Sequence, residues 1–157
     1  MYLETLQIRK LTEEEVSFDD FISRIKEADR QGYKFFIGTD SQALPNHVSF
    51  VTCICMYMEG QGGFGFFIKE KDTSGIYPNM RMRLLSEVYR SIDAAMTVQP
   101  LISCPITIHI DVGFDIKKSK SAKYGKEFKT IVSSQGYECE TKPNSWAITM
   151  ADKFTKS

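Results

Sequence analysis

YKFFIGTDSQALPNHVSFVTCICMYMEGQGGFGFFIKEK (residues 33–71) is the stretch that decides the fold. Three apolar runs rich in β-branched and aromatic residues, 33–40, 47–59 and 64–71, are separated by ALPN (43–46) and GQGG (60–63). Both separators contain residues that favour turns. Strands joined so closely pair as an antiparallel meander. The first run turns polar at Asp40, which is therefore expected at a strand end.

On the N-terminal side the pattern changes from alternation to helical spacing. Phe18, Phe21, Ile22, Ile25 and Ala28 form one stripe, predicting a helix over 17–31. Ser17 is its expected cap, with Asp20 at the N3 position, and Val16 and Phe21 are placed as a hydrophobic staple. Gly32 supplies the stop. On the C-terminal side, a helix is expected from Pro78 or Asn79 to about Val98, with Leu85, Val88, Ile92, Ala95 and Met96 on its apolar face. A strand (PITIHIDV, 105–112), a helix over 121–135, a short strand (136–142) and a helix from Ser145 to about Thr155 follow. Crossover helices make the fourth and fifth strands parallel members of the sheet. The expected architecture is α/β: a mixed five-stranded sheet with flanking helices, one domain over 1–157, and a helical extension at about 1–32.

Composition narrows the function classes. The chain has 157 residues, of which 42% are hydrophobic and 25% charged, enough for one sizeable core. No apolar run approaches the ~18 residues of a membrane span. The N-terminus lacks a signal-peptide core, so a cytoplasmic location without membrane contact is expected. The net charge is zero, so affinity for nucleic acid must come from a local patch. Lys117, Lys118, Lys120, Lys123, Lys126 and Lys129 form the one basic run. It reads equally as a solvated surface or as a track for phosphates. Cys53, Cys55, Cys104 and Cys139 show no metal spacing and are expected as reduced thiols.

Four acids stand out by position. Asp40 lies in IGTDSQ and Asp111 in HIDVG, each where an apolar run gives way to polar residues. Glu87 borders the apolar face of the helix after the meander, and Asp152 borders that of the last helix. On the fourth strand, Thr107, His109 and Asp111 share one face and Ile106, Ile108 and Ile110 the other. Carboxylates gathered at one place repel unless a cation neutralises them. Hydrolysis of a phosphodiester by two Mg²⁺ or Mn²⁺ ions, about 3.5–4 Å apart, needs such hard oxygen ligands. Ser41 and His109 are expected to support the ligands from behind. Each acid also has a plain reading, as a turn residue (Asp40, Asp111) or a surface ion-pair partner (Glu87 with Arg83 or Arg90, Asp152 with Lys156).

The set IGTDSQ, LLSEVYRS, HIDVG and KPNSWAITMADKFTK resembles the YkuK-type ribonuclease H-like family of bacteria and phages over roughly 33–156. The order β-β-β-α-β-α-β-α is also that of the ribonuclease H-like fold. The resemblance implies that fold and a metal site at Asp40, Glu87, Asp111 and Asp152. The leading expectation is a metal-dependent nuclease acting on RNA, an RNA–DNA hybrid or structured DNA, with Lys117, Lys118, Lys120 and Lys123 contacting the nucleic acid. Two rivals stay open: a non-catalytic nucleic-acid-binding module, and a structural or assembly protein, such as a homodimer, whose acids are merely solvated.

Overall fold

The computed structural model describes residues 2–75, 77, 79–113, 117 and 119–155. Its centre is one mixed sheet of seven strands in the order β2-β1-β5-β4-β3-β6-β7. The strands are β1 (Ile8–Lys10), β2 (Glu15–Val16), β3 (Lys34–Leu44), β4 (His47–Met58), β5 (Gly62–Asp72), β6 (Ile106–His109) and β7 (Glu138–Glu140). The helices are α1 (Phe18–Arg30), α2 (Met80–Val98), α3 (Gly125–Ser134) and α4 (Trp146–Asp152).

The five expected strands are present, and β1 and β2 add two. Both come from the stretch expected to be a helical extension. β1 pairs antiparallel with β5, aligning Ile8 with Ile68 and Lys10 with Phe66, and β2 pairs with β1. The α/β class and the parallel placement of β6 and β7 hold as read from the sequence.

Alternation along the strands sorts residues onto two faces. Ile37, Ile54, Met56, Phe66, Ile68, Ile106 and Ile108 point to the larger core, which takes Phe21 and Ile25 of α1, Val88 and Ile92 of α2, and Phe128 and Val132 of α3. Val51, Cys53, Cys55 and Phe67 point to the opposite face, which α4 covers with Ala147 and Ala151. Full burial of one such large apolar side chain contributes about 1.5–3 kcal/mol. All four cysteines are free; Cys53 and Cys55 are buried under α4, and Cys104 and Cys139 are half-buried.

Local signals fix the helix ends. The Ser17 hydroxyl accepts from the Asp20 amide at 3.0 Å, and Gly32 takes φ +89° beyond the end of α1. Asn79 caps α2 by accepting from the Met82 amide at 2.9 Å; Pro78 lies outside the described residues. Met96, expected on the apolar face of α2, is 56% exposed. The buried face of α2 is instead rotated to include Glu87 and Ser91.

Candidate metal centre

β3 runs four residues past Asp40, to Leu44, so Asp40 stands inside the strand and not at its end. Its neighbour β6 stops at His109, pairing there with Gly38. Asp40 therefore continues along β3 just where the adjacent parallel strand has ended. Asp111 lies two residues beyond β6, on chain still tied to its neighbours. The Ile110 amide donates to Glu140 (2.9 Å), the Lys142 amide to Val112 (3.1 Å), and the Gly113 amide to the Ser121 hydroxyl (2.9 Å).

Gly38 and Asp40 face α4, whereas Thr39 and Ser41 face α2. A buried hydroxyl chain, Thr52–Thr39–Ser91 at 2.9 and 2.8 Å, ties the sheet to α2 beneath the site. One position along, Ser41 donates to Glu87 Oε2 at 2.5 Å. Glu87 is thus a buried residue that reaches the end of the sheet, and the surface reading of this acid does not describe it. Arg90 pairs instead with Glu70 and Asp72.

Asp40, Glu87 and Asp111 each offer an oxygen within 4.8 Å of the others. Asp152, exposed at the end of α4, is near enough to act on the Asp40 carboxyl but is not among the three acids whose oxygens meet. Burial, then the Asp111 and Asp152 carboxylates, push the Asp40 carboxyl up to about 8. Burial and the charges of Asp111 and Asp40 also raise Glu87 well above the usual carboxylate range. Among the described residues, Glu87 Oε1 is buried with no hydrogen-bond partner. Lys142 Nζ meets Asp111 Oδ1 at 2.6 Å. Burial alone lowers the Lys142 pKa, but Asp111, with Asp40 and Glu87 behind it, raises it overall.

These residues fit a hard divalent cation. All donors are oxygen, the carboxylates are close enough to share an ion, and one buried oxygen lacks any partner. A pH dependence follows. The folded-state pKa of Asp40, about 8, lies far above the ordinary aspartate value of 3.8, so this group carries little penalty below about pH 4. As pH rises toward 8 the unfolded chain releases the proton more readily, and stability falls. The metal-free protein is expected to lose several degrees of melting temperature between pH 5 and pH 8. Mg²⁺ or Mn²⁺ should restore more of it at pH 8 than at pH 5, as differential scanning fluorimetry would read. A flat profile would contradict the crowded carboxylates.

The other expected site residues fall in different places. His109 is buried, and its Nδ1 accepts the Ala147 amide at 3.0 Å, so the imidazole caps α4. Burial holds its pKa down to about 4, which keeps Nδ1 free of a proton for this bond. The Ser145 side chain makes no cap bond. Trp146 is 38% exposed and packs beside Phe36 and His109, while the small Ala147 and Ala151 face the sheet.

Lys117 is exposed, and Lys118 lies outside the described residues. Lys120 and Lys123 line a cleft with Asn79 and Tyr124. Lys126 and Lys129 line a larger one, about 750 Å³, that begins at Gly113 and Thr141 beside Asp111 and Lys142. A second basic groove, which the sequence did not signal, sets Arg9, Lys69 and Lys71 beside Phe67 and Phe154. Its components come from three distant segments, so no run of charge announces it. No helix among the described residues is long and apolar enough to cross a membrane.

The profile of the ribonuclease H-like family matches residues 17–156. The chain is also 27% identical over 168 residues to "Uncharacterized protein YkuK" of Bacillus subtilis (strain 168), an alignment covering 93% of this chain and 95% of that protein.

Proposed function

The chain belongs to the YkuK type of the ribonuclease H-like family, and on that premise we propose that it is a metal-dependent nuclease that hydrolyses phosphodiester bonds. The observation that carries this reading is the meeting of Asp40, Glu87 and Asp111, whose oxygens lie within 4.8 Å of one another, with one Glu87 oxygen buried and unpartnered. Asp40, Glu87, Asp111 and Asp152 would hold Mg²⁺ or Mn²⁺. Bound there by the two-metal route, the ions would supply an activated water and stabilise the leaving oxygen.

The chain's own residues prepare that chemistry. Ser41 fixes one oxygen of Glu87 and leaves the other for the cluster. The Ser91–Thr39–Thr52 chain locks α2 to the sheet, so Glu87 approaches at a set height. His109 fixes the start of α4, whose far end carries Asp152. Lys126 and Lys129 on one flank, and Arg9, Lys69 and Lys71 on the other, offer cations to a phosphate backbone despite a neutral chain.

The test is Mg²⁺- or Mn²⁺-dependent cleavage of a labelled panel: single-stranded RNA, RNA–DNA hybrid, duplex DNA and branched DNA. Cleavage of at least one member, lost on chelation, is the expected result. No cleavage of any member, with binding that persists in chelator, would favour the non-catalytic module.

A further inference from the structure

We propose that Lys142 is a resident counter-cation of the carboxylate cluster, so that the protein free of nucleic acid takes one divalent ion and not two. This role presupposes the metal-dependent reading above. It starts from an imbalance within the cluster. Asp111 already has a cation, with Lys142 Nζ 2.6 Å from its Oδ1. The unmet demand is on the other side, where the buried Oε1 of Glu87 has no partner and Asp40 faces two further carboxylates. A first divalent ion is therefore drawn to Asp40 and Glu87. A second would have to share Asp111 with an ammonium that occupies one of its two oxygens and repels the incoming charge.

The position of Lys142 is built rather than incidental. Its backbone amide donates to the Val112 carbonyl at 3.1 Å, which holds it alongside the residue after Asp111. The Asn144 amide donates to the Thr141 carbonyl at 2.9 Å, closing the turn that contains it. The side chain remains half-exposed, so its tip can leave Asp111 without unpacking any core. An ammonium that can swing between a carboxylate and solvent is also suited to meet a phosphate oxygen when a nucleic acid arrives. Lys142 would then leave Asp111 to the second ion.

Counting bound Mn²⁺ tests this without any cleavage. Electron paramagnetic resonance of the unbound ion is recorded on protein free of nucleic acid. One Mn²⁺ is expected on the wild type, two on Lys142→Met, and one on Lys142→Arg, which keeps the charge. Two ions on the wild type, or a single ion on Lys142→Met, would overturn the role of Lys142 while leaving the metal centre standing. No bound Mn²⁺ on any of the three proteins would overturn the metal-dependent reading itself, and this role with it.

Discussion

Asp40→Asn is expected to abolish metal-dependent cleavage and, in the same molecule, to make the metal-free protein more stable at pH 8. The two effects have one cause. Asp40 sits buried between Asp111 and Asp152, and its carboxyl is pushed up to about 8. An amide of the same shape removes that charge from the cluster, so the repulsion disappears while the packing stays. The gain should be on the order of 1–3 kcal/mol at pH 8, shrink as pH falls, and vanish only below about pH 3, where the carboxyl is protonated in both states. The same amide is a poor ligand for a hard cation. Cleavage should fall at least ~10³-fold, roughly 4 kcal/mol of transition-state stabilisation. Thermal melts at both pH values, beside a cleavage assay, measure both signs. A variant that loses activity because it unfolds more easily would argue against a cation site and for a structural Asp40.

Gly38→Val should have the largest effect on stability. A Cβ at Gly38 would lie 3.0 Å from Ala147 Cβ, 3.1 Å from Ile148 Cδ1 and 3.2 Å from the Ala147 carbonyl carbon. The last is backbone and cannot turn aside, so the branched side chain must lift α4 from β3. Overpacking of this kind costs about 1–3 kcal/mol. Losing the Ala147–His109 bond, with a buried imidazole nitrogen left unpaired, adds about 1–3 kcal/mol. The melting temperature should drop by roughly 4–24 °C. Trp146, the only tryptophan, begins α4 and is already part-exposed, so its emission should shift to the red as the helix departs. Unchanged emission with a wild-type melting temperature would refute the close approach of α4.

The sequence was most legible where the deciding forces are local. Ser17 and Gly32 bracket α1 because a cap and a positive-φ stop act within one turn. The alternation of Ile106, Ile108 and Ile110 against His109 was visible because each residue meets a different layer. Asp40 and Asp111 were conspicuous at apolar-to-polar changes, yet that same signal misplaced the end of β3. The segment from Ser41 to Leu44 is polar or unremarkable, and it is extended because residues 47–50 pair with it. No local pattern records a partner's hydrogen bonds. For the same reason β1 and β2, three and two residues long, left no periodicity to read. The direction of Glu87 was also hidden. A glutamate near an apolar stripe usually turns to solvent, and what turns this one inward is the Ser41 hydroxyl, far away in sequence. Lys142 was equally hidden, because its ion pair with Asp111 depends on how the chain returns after β7.

β1 and β2 lie outside the span that matches the family, residues 17–156, although β1 is stitched to β5 from Ile8 to Lys10. They act as a hem on that side of the sheet. Without them, the backbone of Phe66, Phe67 and Ile68 would offer unsatisfied donors and acceptors to any extended chain that met it, including another copy of itself. A protein trimmed to the family's boundary would keep every acid of the candidate metal centre and gain an adhesive border. Its tendency to associate or aggregate would reflect that exposed border and not its native assembly.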